Sequence, residues 1–215
     1  MFELSKVDSI ANHFLAELRD TEIQKDSMRF RRNLERVGEL LAYELSKSLD
    51  YTEKLIQTPL GKAPVKLIEN NLVLITILRA GIPFFQGFLN IFDQAESGFV
   101  GAFRKSEDVI DGVEIEMGYV TSPSLENKSL LIIDPMLATG KSLIKTVNGL
   151  KDRGTPSCIH VVSAIASRAG IEFVKKNLSL DFNLWTGVID EHLNENFYIV
   201  PGLGDAGDLS YGPKL

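Results

Sequence analysis

The chain has one cysteine, Cys158, no long hydrophobic run and no surplus of positive charge among its 215 residues. A single thiol excludes a disulfide framework and a cysteine-based zinc site, and makes a reducing cytoplasm the default compartment. The longest strongly apolar run, LVLITIL at 72–78, is closed by Arg79 and is far too short to span a bilayer. The opening MFELSKVDSI carries an acid and lacks an apolar stretch, so a secretory signal is not expected. The 23 Lys and Arg against 29 Asp and Glu leave a net charge of −6, so the surface as a whole will not attract nucleic acid. An anionic ligand must be met by local cations instead. His13, His160 and His192 are scattered and make no metal-ligand spacing. Repeats and low-complexity tracts are missing too.

The apolar share of 44% and charged share of 24% are those of an ordinary globular chain, long enough to bury a full core. Residues 1–58 read as helical, with Phe30, Leu34, Val37, Leu40, Leu41 and Leu45 mostly three or four apart. The segment 57–66, QTPLGKAPVK, reads as a connection or an irregular hairpin. Beyond it strands and helices alternate. Strands are expected at 72–78, 99–103, 114–120, 130–133, 158–164 and 184–189. Helices are expected at 82–92, 142–152 and 171–178, with Gly154 placed to end the second. That alternation implies an α/β fold, a mostly parallel sheet flanked by helices. Ligands in such folds sit beyond the carboxyl ends of the strands. His160, Cys158 and Trp185 read as core residues. Arg29, Arg31, Arg32 and Arg36 form a basic cluster whose bland reading is a solvated helix face, with RNA contact as the sharper alternative.

Two loops carry chemistry. In LLIIDPMLATGKSL a buried strand ends at Asp134, and small residues lead into a helix. Backbone N–H groups of Ala138, Thr139, Gly140, Lys141 and Ser142 can approach an anion closely, and the helix N-terminus adds positive partial charge. The segment imitates the end of a P-loop, and VIDE at 188–191 imitates the metal-binding strand of such enzymes. Pro135 stands where that motif needs its first glycine, which weakens a nucleotide-hydrolase reading. The second loop, YIVPGLGDAGD at 198–208, is too rich in glycine for a regular element and too apolar for a disordered tail. Its exposed main chain suits a flat heterocycle.

DPMLATGKS resembles the phosphoribosyl-diphosphate (PRPP) loop of the uracil phosphoribosyltransferases, DPMLATGGS, from which it differs at Lys141. That lysine could add charge beside a 5′-phosphate or point to solvent. TGVIDEHLNENFYIVPGLGDAGD resembles the uracil-binding loop of the same family, and ILRAG at 77–81 its diphosphate loop. FRRNLERVGELLAYE also looks like that family, whereas LSYGP after Asp208 departs from it.

The resemblance implies a type I phosphoribosyltransferase fold and transfer of the phosphoribosyl group from PRPP to uracil, with Mg2+. It implies one domain over 1–215, with a flexible hood at about 104–125 and a base loop at 198–208. PRPP would be held by Arg79, Arg104, Asp134, Pro135, Met136, Leu137, Ala138, Thr139, Gly140, Lys141, Ser142 and Asp205. Uracil would be held by Ile199, Gly204, Asp205 and Ala206, largely through main chain. Arg79, Asp134 and Asp205 would carry the reaction, and Asp205 could bind the metal through PRPP and water. A homodimer or higher homo-oligomer is implied; a membrane or nucleic acid is not.

Overall fold

The computed structural model describes residues 1–69, 71–104 and 115–213, with 103, 104, 115 and 116 through the backbone alone. Residues 105–114 of the expected hood lie outside the described residues.

The chain opens with a two-residue strand, β1 (Phe2–Glu3), then α1 (Ala11–Arg19) and the long α2 (Ser27–Ser46). The Asp26 carboxylate caps α2, accepting from the Met28 and Arg29 backbone N–H groups. Its buried stripe is Phe30, Leu34, Val37, Leu41 and Leu45, the periodicity that the sequence displays. The helical reading fails at 51–58. There β2 (Tyr51–Thr58) pairs antiparallel with β3 (Gly61–Ile68) as a separate two-stranded hairpin.

The main sheet uses β4 (Leu72–Leu78), β5 (Glu96–Arg104), β6 (Ile115–Thr121), β7 (Ser129–Ile133), the short β8 (Met136–Leu137), β9 (Cys158–Ser167) and β10 (Phe182–Asp190). Three helices alternate with these strands: α3 (Gly81–Ile91), α4 (Lys141–Gly149) and α5 (Arg168–Asn177). A small antiparallel pair, β11 (His192–Leu193) and β12 (Ile199–Val200), and a final helix, α6 (Ala206–Tyr211), complete the chain. The strand order is β1-β10-β9-β7-β4-β5-β6, with β8 beside β9. Every pairing within it is parallel except β5 with β6. The expected mostly parallel sheet is therefore present.

Burial on both faces explains the continuous apolar strands. In β4, Leu72 and Leu74 join a core with α1, α2 and α3, whereas Val73 and Ile75 join a second core with α4 and α5. Each fully buried Leu or Phe contributes roughly 1.5–3 kcal/mol. Helices α2 and α3 cross at two glycines: a Cβ on Gly38 would meet the Phe84 carbonyl oxygen at 2.4 Å.

One topological detail fixes where a ligand can sit. The chain leaves β4 for α3 on one face of the sheet, and leaves the neighbouring β7 for α4 on the other. The two connections diverge and leave a crevice at the carboxyl ends of these strands, the usual ligand position in open parallel sheets.

Candidate active site

Arg79 follows β4 and Asp134 follows β7, so the crevice lies between the turns that carry them. A buried hydrogen bond ties the two strand ends together: Thr76 Oγ1 donates to the Ile133 carbonyl at 3.0 Å. Gly81 fits over it because a Cβ there would come within 2.1 Å of Thr76 Oγ1. The Leu78–Arg79 and Val200–Pro201 peptides are both cis.

The loop after β7 is stitched to its neighbours. The Asp134 N–H donates to the Val162 carbonyl, and the Pro135 carbonyl accepts from Ala164 and Ile165. Met136 and Leu137 pair with Ile165 and Ala166 of β9. Ser167 then donates its hydroxyl to the Ala138 carbonyl at 2.5 Å and accepts from the Gly170 N–H at 2.8 Å. Gly140 adopts φ +75°, which turns the chain into α4. The backbone from 138 to 142 is thus seated on α5 and leads into the N-terminus of α4, a shape that accepts an anion.

The cleft beside it is lined by Asp134, Thr139, Gly140 and Ser142 on one wall and Phe197, Tyr198, Gly204 and Asp205 on the other. Asp134 and Asp205, distant in sequence, therefore share one space. Burial pushes the Asp134 carboxyl up to about 7, against the opposing effect of the Met136 backbone N–H. A ligand's hydroxyls or a cation facing this carboxyl would favour its charged form.

The second wall is an arch held from beneath. Asp190, buried at the end of β10, receives Arg19 from α1 at 3.1 Å and the Gly202 N–H at 2.9 Å. That occupation removes the resemblance of 188–191 to a metal-binding strand. The arch ends at Asp205, whose Oδ1 caps α6 by accepting from Gly207 at 2.8 Å and Asp208 at 3.0 Å. Ile199 and Ala206 place their side chains in the core, so only their main chain can face a ligand. Pro135 and Leu137 are likewise buried beneath the loop. Lys141 opens α4 but is not among the residues lining the cleft.

Phe197 and Tyr198 were not singled out by sequence reasoning. They flank the glycine arch, and Phe197 takes φ +61° in a tight turn closed by Asn194. An aromatic pair next to a glycine-rich run was the signal available.

Arg79 reaches the C-terminal turn, where Nη2 lies 3.4 Å from Asp208 Oδ1 and 3.2 Å from the Gly212 carbonyl. Arg104 ends β5 on the same sheet edge. The basic cluster on α2 keeps Arg29 and Arg32 exposed, as a solvated face requires, and each arginine also has a partner within the molecule. Arg29 clasps Glu17, Arg31 the Ser210 carbonyl and Arg32 Glu35; Arg36 binds Asn33 and lies 5.0 Å over the Phe14 ring. His160 is a satisfied core residue, accepting at Nδ1 from Trp185 Nε1 at 3.0 Å. Cys158 is half-buried rather than enclosed, with its sulfur 3.5 Å from His160 Nε2.

Among the described residues no three His, Cys, Asp or Glu side chains converge to hold a metal ion. No described helix is long and apolar enough to cross a membrane.

The family model and the curated relatives name one family. The family model described as uracil phosphoribosyltransferase matches residues 6–213. The uracil phosphoribosyltransferase of Porphyromonas gingivalis is 45% identical over all of this chain and 99% of its own. That of Pyrococcus furiosus is 37% identical over 94% of this chain and 85% of its own. Among solved structures, the AQ2163 protein of Aquifex aeolicus superposes with a TM-score of 0.87 at 30% identity, covering 98% of this chain and 97% of that one. With the cleft built as described and the match spanning nearly every residue, the chain belongs to the uracil phosphoribosyltransferase family.

Proposed function

We propose that the protein transfers the phosphoribosyl group of PRPP to N1 of uracil, giving UMP and diphosphate in pyrimidine salvage. The observation that carries this reading is the single cleft between the anion-accepting loop at 138–142 and the glycine arch at 199–205. An activated sugar phosphate and a planar base must meet at one carbon, and a cleft with these two walls allows it.

The 5′-phosphate sits against the N–H groups and hydroxyls of Thr139, Gly140 and Ser142 at the start of α4. Asp134 faces the ribose hydroxyls. The arch holds uracil by main chain at Ile199, Gly204 and Ala206, with Asp205 at the junction. An N–H aimed at O4 accepts uracil and rejects cytosine, whose amino group would leave that donor unpaired. Arg79 takes the charge that develops on the leaving diphosphate. The N1–C1′ bond forms as the C1′–O bond to diphosphate breaks, through a loose, oxocarbenium-like displacement with inversion. The N1 proton passes to Asp205 or to solvent.

Mg2+ fits these residues as a partner of the substrate rather than of a protein cage. Asp205, at the cleft wall, would supply a carboxylate to hold it together with PRPP, and the ion would neutralise diphosphate charge. The 1–215 chain acts as one domain in the cytoplasm. The hairpin supports a homodimer or higher homo-oligomer: it is a separate two-stranded sheet exposing Leu55, Leu60 and Leu67. Such a hairpin is marginal alone in water and gains from a partner.

Incubation with labelled uracil, PRPP and Mg2+ tests the reading, with UMP as the expected product. Arg79→Ala lowers turnover at least ~10-fold. Unchanged kinetics in that variant, or no UMP from the parent protein, removes the assignment.

A further inference from the structure

The C-terminal helix does more than close the base loop. Its last turn is the described structure's meeting point for two arginines from distant parts of the chain. Arg31 of α2 donates from Nη1 to the Ser210 carbonyl at 2.6 Å. Arg79 approaches from the other side, with Nη2 shared between Asp208 Oδ1 and the Gly212 carbonyl. Both charges act on Tyr211. Burial raises its hydroxyl above the ordinary range, and the Arg31 and Arg79 charges oppose that rise.

The helix itself is anchored. Ala206 is fully buried, Leu209 packs on the core shared with α2, and Asp205 caps its start. Arg79, by contrast, comes from a turn and is about 40% exposed. Its Nε is buried and has no partner among the described residues. One end of the guanidinium is therefore tethered, and a donor on its other side awaits an acceptor. A carboxylate and a backbone carbonyl, both hydrogen-bond acceptors at fixed positions, restrict where a long side chain can hold its charge.

We propose that α6 is a strut for the diphosphate-binding arginine: Asp208 and the Gly212 carbonyl position Arg79, and Arg31 fixes the strut through Ser210. Asp208 and Arg31 are positioning residues that touch no substrate. The proposal rests on the diphosphate role given to Arg79 above and adds how that role is maintained. It also gives work to the segment after Asp208, where the sequence leaves the family pattern.

Diphosphate and UMP separate the roles, because UMP carries no leaving group for Arg79 to hold. Calorimetric binding of each, with Mg2+, is measured for the parent protein and for Asp208→Ala, Asp208→Asn and Arg31→Leu. Loss of a positioned charge weakens diphosphate binding by about 5- to 10-fold in Asp208→Ala and Arg31→Leu, with UMP binding held within about 2-fold. Asp208→Asn, which keeps an acceptor oxygen, recovers part of the loss. The KM for PRPP rises in parallel.

Three results overturn the proposal. The first is unchanged diphosphate binding in both Asp208→Ala and Arg31→Leu. The second is tighter binding in Asp208→Ala, which would make Asp208 a competitor for Arg79. The third is a joint weakening of diphosphate and UMP, which would make α6 a general structural support. Failure of the parent protein to form UMP from uracil and PRPP is a separate result and strikes the functional reading instead.

Discussion

Gly140→Ala tests whether the anion loop depends on its left-handed turn and close seating. Two costs add. At φ +75° an alanine pays about 1–2 kcal/mol for its Cβ against the following carbonyl. That Cβ would also stand 2.8 Å from Val174 Cγ2, 3.0 Å from the Gly170 carbonyl oxygen and 3.2 Å from Phe173 Cδ1. Overpacking of this kind costs typically ~1–3 kcal/mol. The expected loss is therefore about 2–5 kcal/mol, read from urea unfolding as a fall in midpoint at constant slope. Because the displaced backbone is the proposed 5′-phosphate seat, UMP affinity should fall at least ~10-fold as well. Val174→Ala provides the internal control. It removes the nearest methyl group but leaves the φ and the Gly170 carbonyl in place. The double variant should be less damaged than the sum of the two single ones, by about 1 kcal/mol. A Gly140→Ala protein within ~0.5 kcal/mol of the parent, with UMP affinity intact, would refute both the strain and the seating.

Ser167→Ala strips the hydroxyl that joins the Ala138 carbonyl to the N-terminus of α5, and should cost about 1–2 kcal/mol by urea unfolding while raising the KM for PRPP. His160 is held at about 4, below its ordinary 6.5, by burial, so the unfolded chain binds the extra proton in acid. Its contribution is present above pH 6.5 and is lost as pH falls towards 4. The difference in stability between the parent and His160→Gln should narrow by up to about 3 kcal/mol across that window. Trp185, the one tryptophan and the donor to His160, reports the transition by fluorescence.

What the sequence discloses follows from burial. Strands β4 and β7 are enclosed on both faces, so their apolar runs are unbroken and their ends, with Arg79 and Asp134, are easy to place. The β2–β3 hairpin is mostly exposed among the described residues. YTEKLIQT therefore shows no clean alternation, and the sequence does not separate the strand from the helical stretch before it. The anion loop is legible because its small residues and helix start are contiguous. Contacts made across long separations are not: Asp190 with Arg19, Arg31 with Ser210 and Arg79 with Asp208 each join residues that no local pattern relates. Arg29 and Arg31 look like part of a solvated face for the same reason, since their partners, Glu17 and the Ser210 carbonyl, lie on other elements.

The Arg19–Asp190–Gly202 chain has a practical consequence for handling the protein. The first helix is a buttress for the far terminus, so its removal would release the carboxylate beneath the glycine arch and leave the proposed nucleobase seat without a firm floor. A purification handle is better appended where it does not pull on that buttress, and a shortened chain that still folds would be expected to keep its sugar-phosphate grip while losing its discrimination among bases.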